Sequence, residues 1–514
     1  MASKSIFQSR RGARVRAADT RNRAGGAAYR RSPKQALAQY AATGCASATF
    51  YASGEQQLAE VIDLAYENEP RFVAQTAIYC REKGFMKDLP ALLCAVLAMA
   101  DAELLTAIFP RVIDDAKMLR NFVQIVRSGA VGRKSLGTLP KRLVTSWLEA
   151  RDEEALFRGS IGQSPSLADV VRMVHPKPST PARRAFYGYL LGRAHDASLL
   201  PPLVRAFEAY KADGGEVPAV PFQMLTALDL SPADWRAIAE TASWQTTRMN
   251  LNTFARHGVF GDRAMTRRIA ERLRDATAIR RARALPYQLL MAFKAAGSDV
   301  PREVTDALHD AMETATNNVP GIDGQVYVCP DVSGSMSSPV TGHRKGATTQ
   351  ARCIDVAALV AAAFLRRNRT AEIIPFEQKV VKVRVEARDS VLSNAQRLAS
   401  IGGGGTNCSA PLAELNRRKA KGDLVVFVSD NESWADPRVG RGTAMMAEWA
   451  VFKARNCDAK LVCIDLQPGA ATQADEQLDV LNVGGFSDAV FEVVGAFAAG
   501  DSGGWVKAIE DVAV

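Results

Sequence analysis

The 514-residue chain lacks a long apolar run, since its longest apolar stretches, 89–100 and 356–365, are shorter than the roughly 18 residues that span a bilayer. Its N-terminus is charged and has no apolar core, so we expect no secretory signal, no membrane association and a cytoplasmic location. The eight cysteines include no CxxC pair and lie mostly in apolar runs. We therefore expect buried reduced thiols rather than a disulfide or metal framework.

Signatures of catalysis are also missing. The chain has only five histidines, and it contains no Walker A lysine loop, no HExxH and no GxSxG. No histidine has a spacing from the acidic residues of the C-terminal half that is typical of a general base. We therefore predict a protein that is not an enzyme. A hydrolase or nuclease that holds two metal ions through Asp430 and Glu432 is kept as an alternative.

Positive charge is concentrated at one end of the chain. Residues 1–34 contain ten Lys or Arg against the single acid Asp19, which gives +9 of the net charge of +10. Arginines spaced among Gly and Ala are typical of a basic arm that follows a phosphate backbone, although a mitochondrial-type presequence has a similar composition. We favour nucleic acid and assign residues 1–32 to a basic N-terminal arm.

The hydrophobic pattern divides the rest of the chain near residue 320. From Pro33 to about Thr316, apolar residues recur every three or four positions, which predicts successive helices paired as in a solenoid. Beyond that point helices alternate with predicted strands, at 324–330, 372–376, 424–429 and 460–466. This alternation is typical of a doubly wound parallel sheet. The predicted fold class is therefore multidomain, with an α-helical repeat domain at 33–318 and a Rossmann-like α/β domain at 319–514.

Small oxygen donors follow the predicted strands. These are Asp331, Ser333 and Ser335 after the first strand, Thr406 at the end of a glycine run, and Asp430 after the strand at 424–429. Loops at the carboxyl ends of parallel strands build the ligand site of such a sheet. Two carboxylates and three hydroxyls suit a hard divalent cation, Mg²⁺ first, with Mn²⁺ or Ca²⁺ as alternatives. Alone, Asp-x-Ser-x-Ser is equally compatible with a turn or a helix N-cap.

Together these segments resemble a known metal site. Asp331-Val-Ser-Gly-Ser-Met336, Gly-Gly-Thr406 and Ser429-Asp-Asn-Glu432 are similar to the metal-ion-dependent adhesion site of von Willebrand factor A (vWA) domains. The resemblance implies a site that binds rather than catalyses, where a carboxylate from an acidic protein ligand completes the coordination of the cation. Asn407 departs from the pattern, because relatives often have Asp after the Thr, and this puts the metal affinity in question.

The N-terminal half resembles the TROVE module of Ro proteins. The motifs that carry the resemblance are Asn22-x-Ala-Gly-Gly26, Thr49-Phe-Tyr-Ala-Ser53, Arg81-Glu-Lys-Gly84, Lys87-Asp-Leu-Pro90, Ser166-Leu-Ala-Asp169, Val174-His-Pro-Lys-Pro178, Trp244-x4-Met249-Asn-Leu251 and Leu285-Pro-Tyr-x-Leu-Leu290. The resemblance implies a closed ring of HEAT-like helices whose hole admits the single-stranded end of a structured or misfolded RNA. It also implies an outer surface for small noncoding Y-like RNA, through which bacterial relatives tether an exoribonuclease.

Cationic side chains in this half are the candidate RNA ligands. They are Arg133, Lys134, Lys141, Arg142, Arg158, His175, Lys177, Arg183 and Arg184. His175 and Arg158 fall where the family places cavity residues, whereas Gly162-Gln163 stands where some relatives have another Arg. A third arginine cluster lies at 263–283.

Each of these clusters also has a structural interpretation. A charged helix face is usually only solvated, and His175 could be a helix-capping residue. Trp147, Trp235 and Trp244 are expected in the core rather than as base-stacking platforms. The favoured function is an RNA-binding scaffold in noncoding-RNA quality control. The alternative is a metal-dependent protein-interaction module whose helical half docks proteins and carries no RNA, which the basic arm disfavours.

Overall fold

A computed structural model of the chain describes residues 15–43, 53–282, 284, 286–340, 351–434, 442–467, 469–485, 488–500 and 504–514. These residues form two compact units. The sheet unit comprises the described residues of Met1–Leu64, Ala284–Met291 and Met312–Asp511, and the helical unit comprises those of Ala65–Arg283, Ala292–Ala311 and Val512–Val514. None of the described helices combines the length and the apolar composition that a bilayer-spanning helix requires.

The strands lie in the sheet unit. They are β1 (Thr20–Arg21), β2 (Ala27–Arg30), β3 (Val326–Pro330), β4 (Glu372–Ile373), β5 (Leu424–Ser429), β6 (Lys460–Asp465), β7 (Ala471–Thr472) and β8 (Val480–Gly484). Five of them form a parallel sheet in the order β4-β3-β5-β6-β8, and β1, β2 and β7 form a small antiparallel sheet. The strand order reverses between β3 and β5, so the carboxyl ends of these two strands form the topological switch point where α/β sheets bind ligands.

The helices are numbered along the chain. They are α1 (Pro33–Thr43), α2 (Gly54–Glu67), α3 (Pro70–Glu82), α4 (Asp88–Ala100), α5 (Ala102–Val112), α6 (Ala116–Ser128), α7 (Thr138–Glu149), α8 (Glu153–Arg158), α9 (Leu167–Val174), α10 (Pro181–Leu190), α11 (Pro202–Asp213), α12 (Phe222–Leu225), α13 (Pro232–Thr241), α14 (Trp244–Met249), α15 (Leu251–Arg256), α16 (Arg263–Arg274), α17 (Ala276–Arg281), α18 (Pro286–Ala295), α19 (Arg302–Ala315), α20 (Cys353–Arg367), α21 (Val391–Ala399), α22 (Ala410–Arg417), α23 (Ala444–Lys453), α24 (Asp488–Ala499) and α25 (Gly504–Glu510).

Helices cover both faces of the parallel sheet. Side chains alternate along a strand, so Tyr327, Val425 and Phe427 point to one face, where they pack with Trp449 and Phe452 of α23. The other face is covered by α20, which packs against β3 and β5. Because both faces are buried, β3 and β5 consist entirely of buried residues, and their sequences are continuous apolar runs rather than alternating ones.

Local capping signals determine where helices of the helical unit begin. Asp101 accepts hydrogen bonds from the backbone at the start of α5, and Asp115 does the same for α6. Ser166 and Asp169 form a capping box at α9, which explains the Ser166-Leu-Ala-Asp169 motif. Successive helices then pack against neighbours one or two places along the chain, such as α3 with α4 and α5. Such local pairing is expected of a helical repeat.

The predicted strands are all present, although β4 is shorter than predicted, and β1, β2, β7 and β8 were not predicted. The predicted domain boundaries differ from the observed units. Residues assigned to a basic arm form β1 and β2, and β2 pairs with β7 of the sheet unit. Helix α1, assigned to the helical domain, packs against β8. Neither pairing has a local sequence signal, since each joins segments more than 400 residues apart.

Candidate metal centre and nucleic-acid surface

The switch point brings the two predicted carboxylates together. Asp331 directly follows β3 and Asp430 directly follows β5, and the Asp331 N–H donates to Val428 O at 2.9 Å. Both carboxylates are almost completely buried, at 0% and 1% exposure. Oδ2 of Asp331 accepts a hydrogen bond from the Ser429 hydroxyl at 2.6 Å, while Oδ1 accepts from the Ser333 N–H at 2.8 Å.

Three hydroxyls complete the predicted donor set. Ser333 is fully buried and Ser335 is partly buried, with their Oγ atoms 3.3 Å apart. Thr406 is also buried, at the end of the glycine run. This run docks on the Asp331 loop, because Gly403 N–H donates to Val332 O at 3.1 Å and Gly404 O accepts from Gly334 N–H at 3.0 Å. Gly402, Gly403 and Gly404 all have positive φ, the conformation that favours glycine.

The electrostatics of the site favour the binding of a cation. Burial raises the pKa of Asp331, and the neighbouring Asp430 carboxylate raises it further. Burial also raises the pKa of Asp430, which is partly offset by a hydrogen bond from Ser335. Oδ2 of Asp430 is buried and has no hydrogen-bond partner among the described residues. Buried polar atoms are normally satisfied, so this oxygen and the crowded carboxylates fit a divalent cation.

The donor chemistry also fits. Nowhere in the described part of the chain do three or more His, Cys, Asp or Glu side chains gather as metal ligands. A site with only two carboxylates therefore depends on hydroxyls and water for the other oxygens, as Mg²⁺ sites usually do. Asp331, Ser333, Ser335, Thr406 and Asp430 would hold the ion, which would supply a Lewis-acidic position for an incoming carboxylate.

The N-terminal segment 20–31 lies against the loops of this site. Asn22 donates through Nδ2 to Ser433 O at 2.6 Å, and it accepts from Gly26 N–H at 2.7 Å. The N–H groups of Arg23 and Ala24 donate to Oε2 of Glu432, at 2.7 and 3.3 Å. Burial raises the pKa of Glu432 to about 8, and the Asp430 carboxylate contributes to the rise. The Asn22-x-Ala-Gly-Gly26 motif is thus a turn that holds the loop after Asp430.

The described part of residues 1–32, which the sequence assigns to a basic N-terminal arm, is folded into the sheet unit. Arg16 pairs with Asp19 and Asp475, and Arg23 pairs with Glu60. Arg31 is buried in an ion pair with Asp465. These cations are neutralised within the sheet unit, because the segment is folded into it. The arginines at positions 10, 11 and 14 lie outside the described residues, as do Thr49 to Ala52 of the second Ro-like motif.

Most candidate RNA ligands are exposed on the helical unit. Lys134, Lys141, Arg142, His175, Lys177 and Arg184 are exposed, and Arg133 is partly exposed. None of the Lys and Arg residues just named forms an ion pair with a carboxylate in the described part of the chain. Arg133 and Lys134 lie in the turn before α7, and Lys141 and Arg142 lie in that helix. This turn and helix therefore present unpaired positive charge to solvent.

The expectation that Arg183 contacts RNA is corrected, because its side chain is buried rather than exposed. Its guanidinium pairs with Glu153 at 2.7 Å and donates to the carbonyls of Leu148 at 3.0 Å and Arg151 at 2.5 Å. These bonds use all three guanidinium nitrogens, so Arg183 holds α10 to α8 and the end of α7. Arg158 is exposed, although it donates to the Ala219 carbonyl.

Several structural interpretations are confirmed. His175 caps the C-terminus of α9 with a φ of 51°, but its imidazole remains exposed. Trp147, Trp235 and Trp244 are buried in the core, at 5%, 5% and 6% exposure.

The third arginine cluster, at 263–283, is only partly paired. Arg268 pairs with Glu240, and Arg274 pairs with Asp310. The arginines that are exposed without an ion pair to a described residue are Arg263, Arg267, Arg280 and Arg281.

The described cysteines are all free, and all of them except Cys457 are buried. Burial raises the pKa of the Cys353 thiol to about 11, which keeps it protonated. The prediction that the cysteines are buried therefore holds for six of the seven described cysteines.

Sequence reasoning missed Trp434. Its indole is 48% exposed and lies against Gly405, and its backbone N–H donates to Thr406 O at 3.3 Å. Its position shortly after the strand-terminal Asp430 was the signal that could have found it. Sequence reasoning also missed Arg31 and Asn22 as supports of the site, because their partners are distant in the chain.

Comparisons with known proteins bear on the family resemblance and on the fold. The family model described as the Ro60 vWA domain matches residues 325–498. The chain is 28% identical over 524 aligned residues to the RNA-binding protein RO60 of Deinococcus radiodurans, covering 94% of this chain and 95% of that protein. The resemblance to the Ro family is confirmed. A second relative, the RNA-binding protein RO60 of Caenorhabditis elegans, is 25% identical over 45% of this chain and 36% of its own length.

A solved structure confirms the fold of this Ro-like chain. The crystal structure of the Deinococcus radiodurans Ro (RSR) protein matches with a TM-score of 0.63 at 22% identity, covering 91% of this chain and 100% of that one. The predicted fold class, helical repeats plus a vWA-like domain, is therefore confirmed. Closure of the repeats into a ring stays a prediction.

Proposed function

We propose that this Ro-like chain binds RNA and acts by binding rather than by bond breaking. The observation that carries the proposal is the similarity to an RNA-binding protein over 94% of the chain, which includes both the helical repeats and the vWA-like domain. The exposed cations of α7 and its preceding turn support it, because phosphate contacts need cationic donors that are not already paired.

The favoured cargo is a small structured noncoding, Y-like RNA together with the single-stranded ends of misfolded RNA. The protein would act as a scaffold in RNA quality control in the cytoplasm, and the RNA could tether an exoribonuclease. These finer assignments follow from the resemblance. The exposed imidazole of His175 and the exposed guanidinium of Arg158 support a contact with RNA, since both side chains reach solvent.

We further propose that the switch-point donors bind a divalent cation, Mg²⁺ first. The unpartnered Oδ2 of Asp430 supports this, as do the two crowded carboxylates. An acidic side chain from a protein ligand would complete the coordination, and Trp434 stands exposed next to Thr406 where such a ligand would lie.

The direct test is to purify the protein from its native cell and to sequence the RNA that accompanies it. Enrichment of a few abundant structured noncoding RNAs is the expected result. Purification without enriched RNA, together with Mg²⁺-dependent capture of an acidic protein, would instead favour the metal-dependent protein-interaction module.

A further inference from the structure

A glutamate that is not among the metal-site donors lies at the edge of that site. Glu377 directly follows Phe376, whose carbonyl accepts from Val332 N–H at 2.9 Å in the loop after β3. The carboxylate of Glu377 lies against the glycine run, because a Cβ added to Gly404 would overlap its Oε2. The side chain is partly exposed. A carboxylate that solvent and a partner can reach therefore lies next to the metal-site loops.

The backbone that carries Glu377 is held by Asn407. The Asn407 N–H donates to Glu377 O at 2.9 Å, and its Nδ2 donates to Gln378 O at 3.2 Å. Oδ1 of Asn407 accepts from the N–H and the hydroxyl of Ser409, at 3.1 and 2.7 Å. An ionised carboxyl group only accepts hydrogen bonds, so the amide is needed to hold Gln378 O. Asn407 thus fixes the position of Glu377 beside the glycine run.

The carboxylate of Glu377 has no partner among the described residues. It forms no ion pair and accepts no hydrogen bond in the part of the chain that the structure describes. Lys379, two residues along, is exposed and forms no described ion pair with it. Glu377 also does not join Asp331 and Asp430 as a third acidic ligand, since the described residues contain no such group of three. Its charge is therefore available to a cation from outside the chain.

The indole of Trp434 lies near this carboxylate. A Cβ added to Gly405 would overlap the indole, and Gly405 directly follows Gly404. Consecutive Cα atoms are about 3.8 Å apart, so the indole and the carboxylate of Glu377 lie within roughly 11 Å of each other. The indole is 48% exposed. Its face attracts an ammonium or guanidinium group and can cover the aliphatic stem of Lys or Arg.

The charge of the site favours a ligand that carries both signs. Asp331 and Asp430 together balance one divalent cation. A carboxylate that a ligand brings to this cation then adds a negative charge close to Glu377, and like charges that face each other across an interface reduce affinity. A cationic side chain on the same ligand offsets this repulsion by pairing with Glu377. The carboxylate of Glu377 thus disfavours ligands that are acidic only.

We propose that Glu377 and Trp434 select, as the ligand of the metal site, a peptide segment in which an acidic side chain lies close to an Arg or Lys. The acidic side chain binds at the cation, and the basic side chain pairs with Glu377 and packs on the indole of Trp434. The two residues are specificity-determining residues and not metal ligands. The proposal rests on the metal-dependent ligand binding proposed above and names the chemistry of that ligand.

The first experiment selects peptides from a random library displayed on phage. The full chain is immobilised in the presence of Mg²⁺, and bound phage are eluted with EDTA. Wild type should enrich peptides that carry Asp or Glu close to an Arg or Lys, and Glu377→Gln should enrich acidic peptides without the neighbouring base. The matched control is Glu386→Gln, which removes the same charge from an exposed side chain that pairs with Arg384. This variant should enrich the same peptides as wild type.

The outcomes separate this selectivity from metal-dependent binding itself. If wild type enriches acidic peptides that lack a base, or if the base persists with Glu377→Gln, the assignment of Glu377 is wrong and metal-dependent binding stands. If wild type enriches no acidic peptide, or if Asp331→Ala enriches the same ones, metal-dependent binding is wrong and the selectivity falls with it.

A titration of one enriched peptide by fluorescence anisotropy tests the contacts. Glu377→Gln should weaken binding by up to about fivefold, the factor that an exposed ion pair contributes. Trp434→Ala should also weaken it. Glu377→Lys should reverse the preference, so that it binds the same peptide better when Glu replaces the base. A Glu377→Lys variant that still prefers the basic peptide would overturn the assignment.

Thermal unfolding excludes a folding defect as the cause of weaker binding. Glu377→Gln should keep the stabilisation by Mg²⁺ that wild type shows, because the Glu377 carboxylate is not a ligand of the cation. Loss of that stabilisation would place Glu377 among the metal ligands and overturn its role in selecting the peptide.

Discussion

The guanidinium of Arg31 lies 3.0 Å from the carboxylate of Asp465, and both side chains are only 2% exposed. Arg31 follows β2 and Asp465 ends β6, so the pair joins the N-terminal segment to the same edge of the parallel sheet that carries the metal-site loops. Arg31 also donates to Gly469 O at 2.5 Å. This buried pair fixes a segment whose composition alone indicates an arm in solution.

Replacing Arg31 by Met should destabilise the sheet unit strongly. The substitution leaves the Asp465 carboxylate buried without its partner, which typically costs about 3–5 kcal/mol. Chemical denaturation followed by tryptophan fluorescence measures the loss. Lys34→Met is the matched control, because Lys34 and Glu510 form a surface pair about one-third exposed and worth at most about 1 kcal/mol. Equal losses in the two variants would contradict a special role for Arg31.

The destabilisation by Arg31→Met should depend on pH. Burial raises the pKa of Asp465 to about 6, although Arg31 lowers it, so removing Arg31 raises the pKa further. Below about pH 6 the carboxyl of the folded protein is protonated with or without Arg31. Above that pH the variant must either bury an unpaired charge or hold the proton. The stability difference should therefore be small at pH values below the pKa of Asp465 and grow as the pH rises above it, and a constant difference would argue against this assignment.

Asp331→Ala should abolish stabilisation by Mg²⁺. A cation at about one hundred times its dissociation constant raises the free energy of unfolding by about 2.7 kcal/mol in wild type. The variant should show no such rise, while its RNA affinity stays nearly unchanged. Thermal unfolding with and without Mg²⁺ measures the effect, with Asp389→Ala, a partly exposed carboxylate in a surface ion pair, as control. Equal Mg²⁺ stabilisation of wild type and Asp331→Ala would remove the site.

Gly26→Ala should weaken the metal site through the backbone. A Cβ at Gly26 would lie 2.0 Å from the carbonyl oxygen of Ser433, which cannot rotate away. Overpacking of this kind costs about 1–3 kcal/mol. We expect a lower affinity for Mn²⁺, measured by calorimetry, as the loop after Asp430 moves. At Gly25 a Cβ meets nothing within 4 Å, so Gly25→Ala should carry only the strain of its φ of 85° and keep Mn²⁺ affinity.

Substitutions of exposed and of buried arginines in the helical unit should differ in their effects on RNA binding and on stability. Arg142→Gln should lower the salt slope of RNA binding by about one without changing stability, because its side chain is exposed. Arg183→Gln should lower stability by about 2–3 kcal/mol, because its charged hydrogen bonds to Glu153 and two carbonyls are lost. Its salt slope should match that of wild type. A reduced slope in Arg183→Gln would restore it as an RNA ligand.

Local patterns in the sequence determined the secondary-structure elements and the oxygen donors of the candidate metal site. Apolar runs predicted β3, β5 and β6, and serine and aspartate at helix starts correspond to caps that the structure contains. The oxygen donors at 331, 333, 335, 406 and 430 could be predicted because parallel strands place their carboxyl ends at one edge. The order of the motifs along the chain was sufficient to indicate the Ro resemblance, because it depends on residue identity and not on the fold.

Tertiary structure alone decided which charges are free. Arg31, Arg183 and Arg142 are all arginines in basic stretches, and no local feature of the sequence distinguishes them. Arg31 and Arg183 are buried, and carboxylates or carbonyls from other helices and strands bind them. Arg142 is exposed. Such partners lie tens to hundreds of residues away, so periodicity and composition carry no information about them. Folding neutralised part of the basic N-terminal segment and left the unpaired cations on the helices.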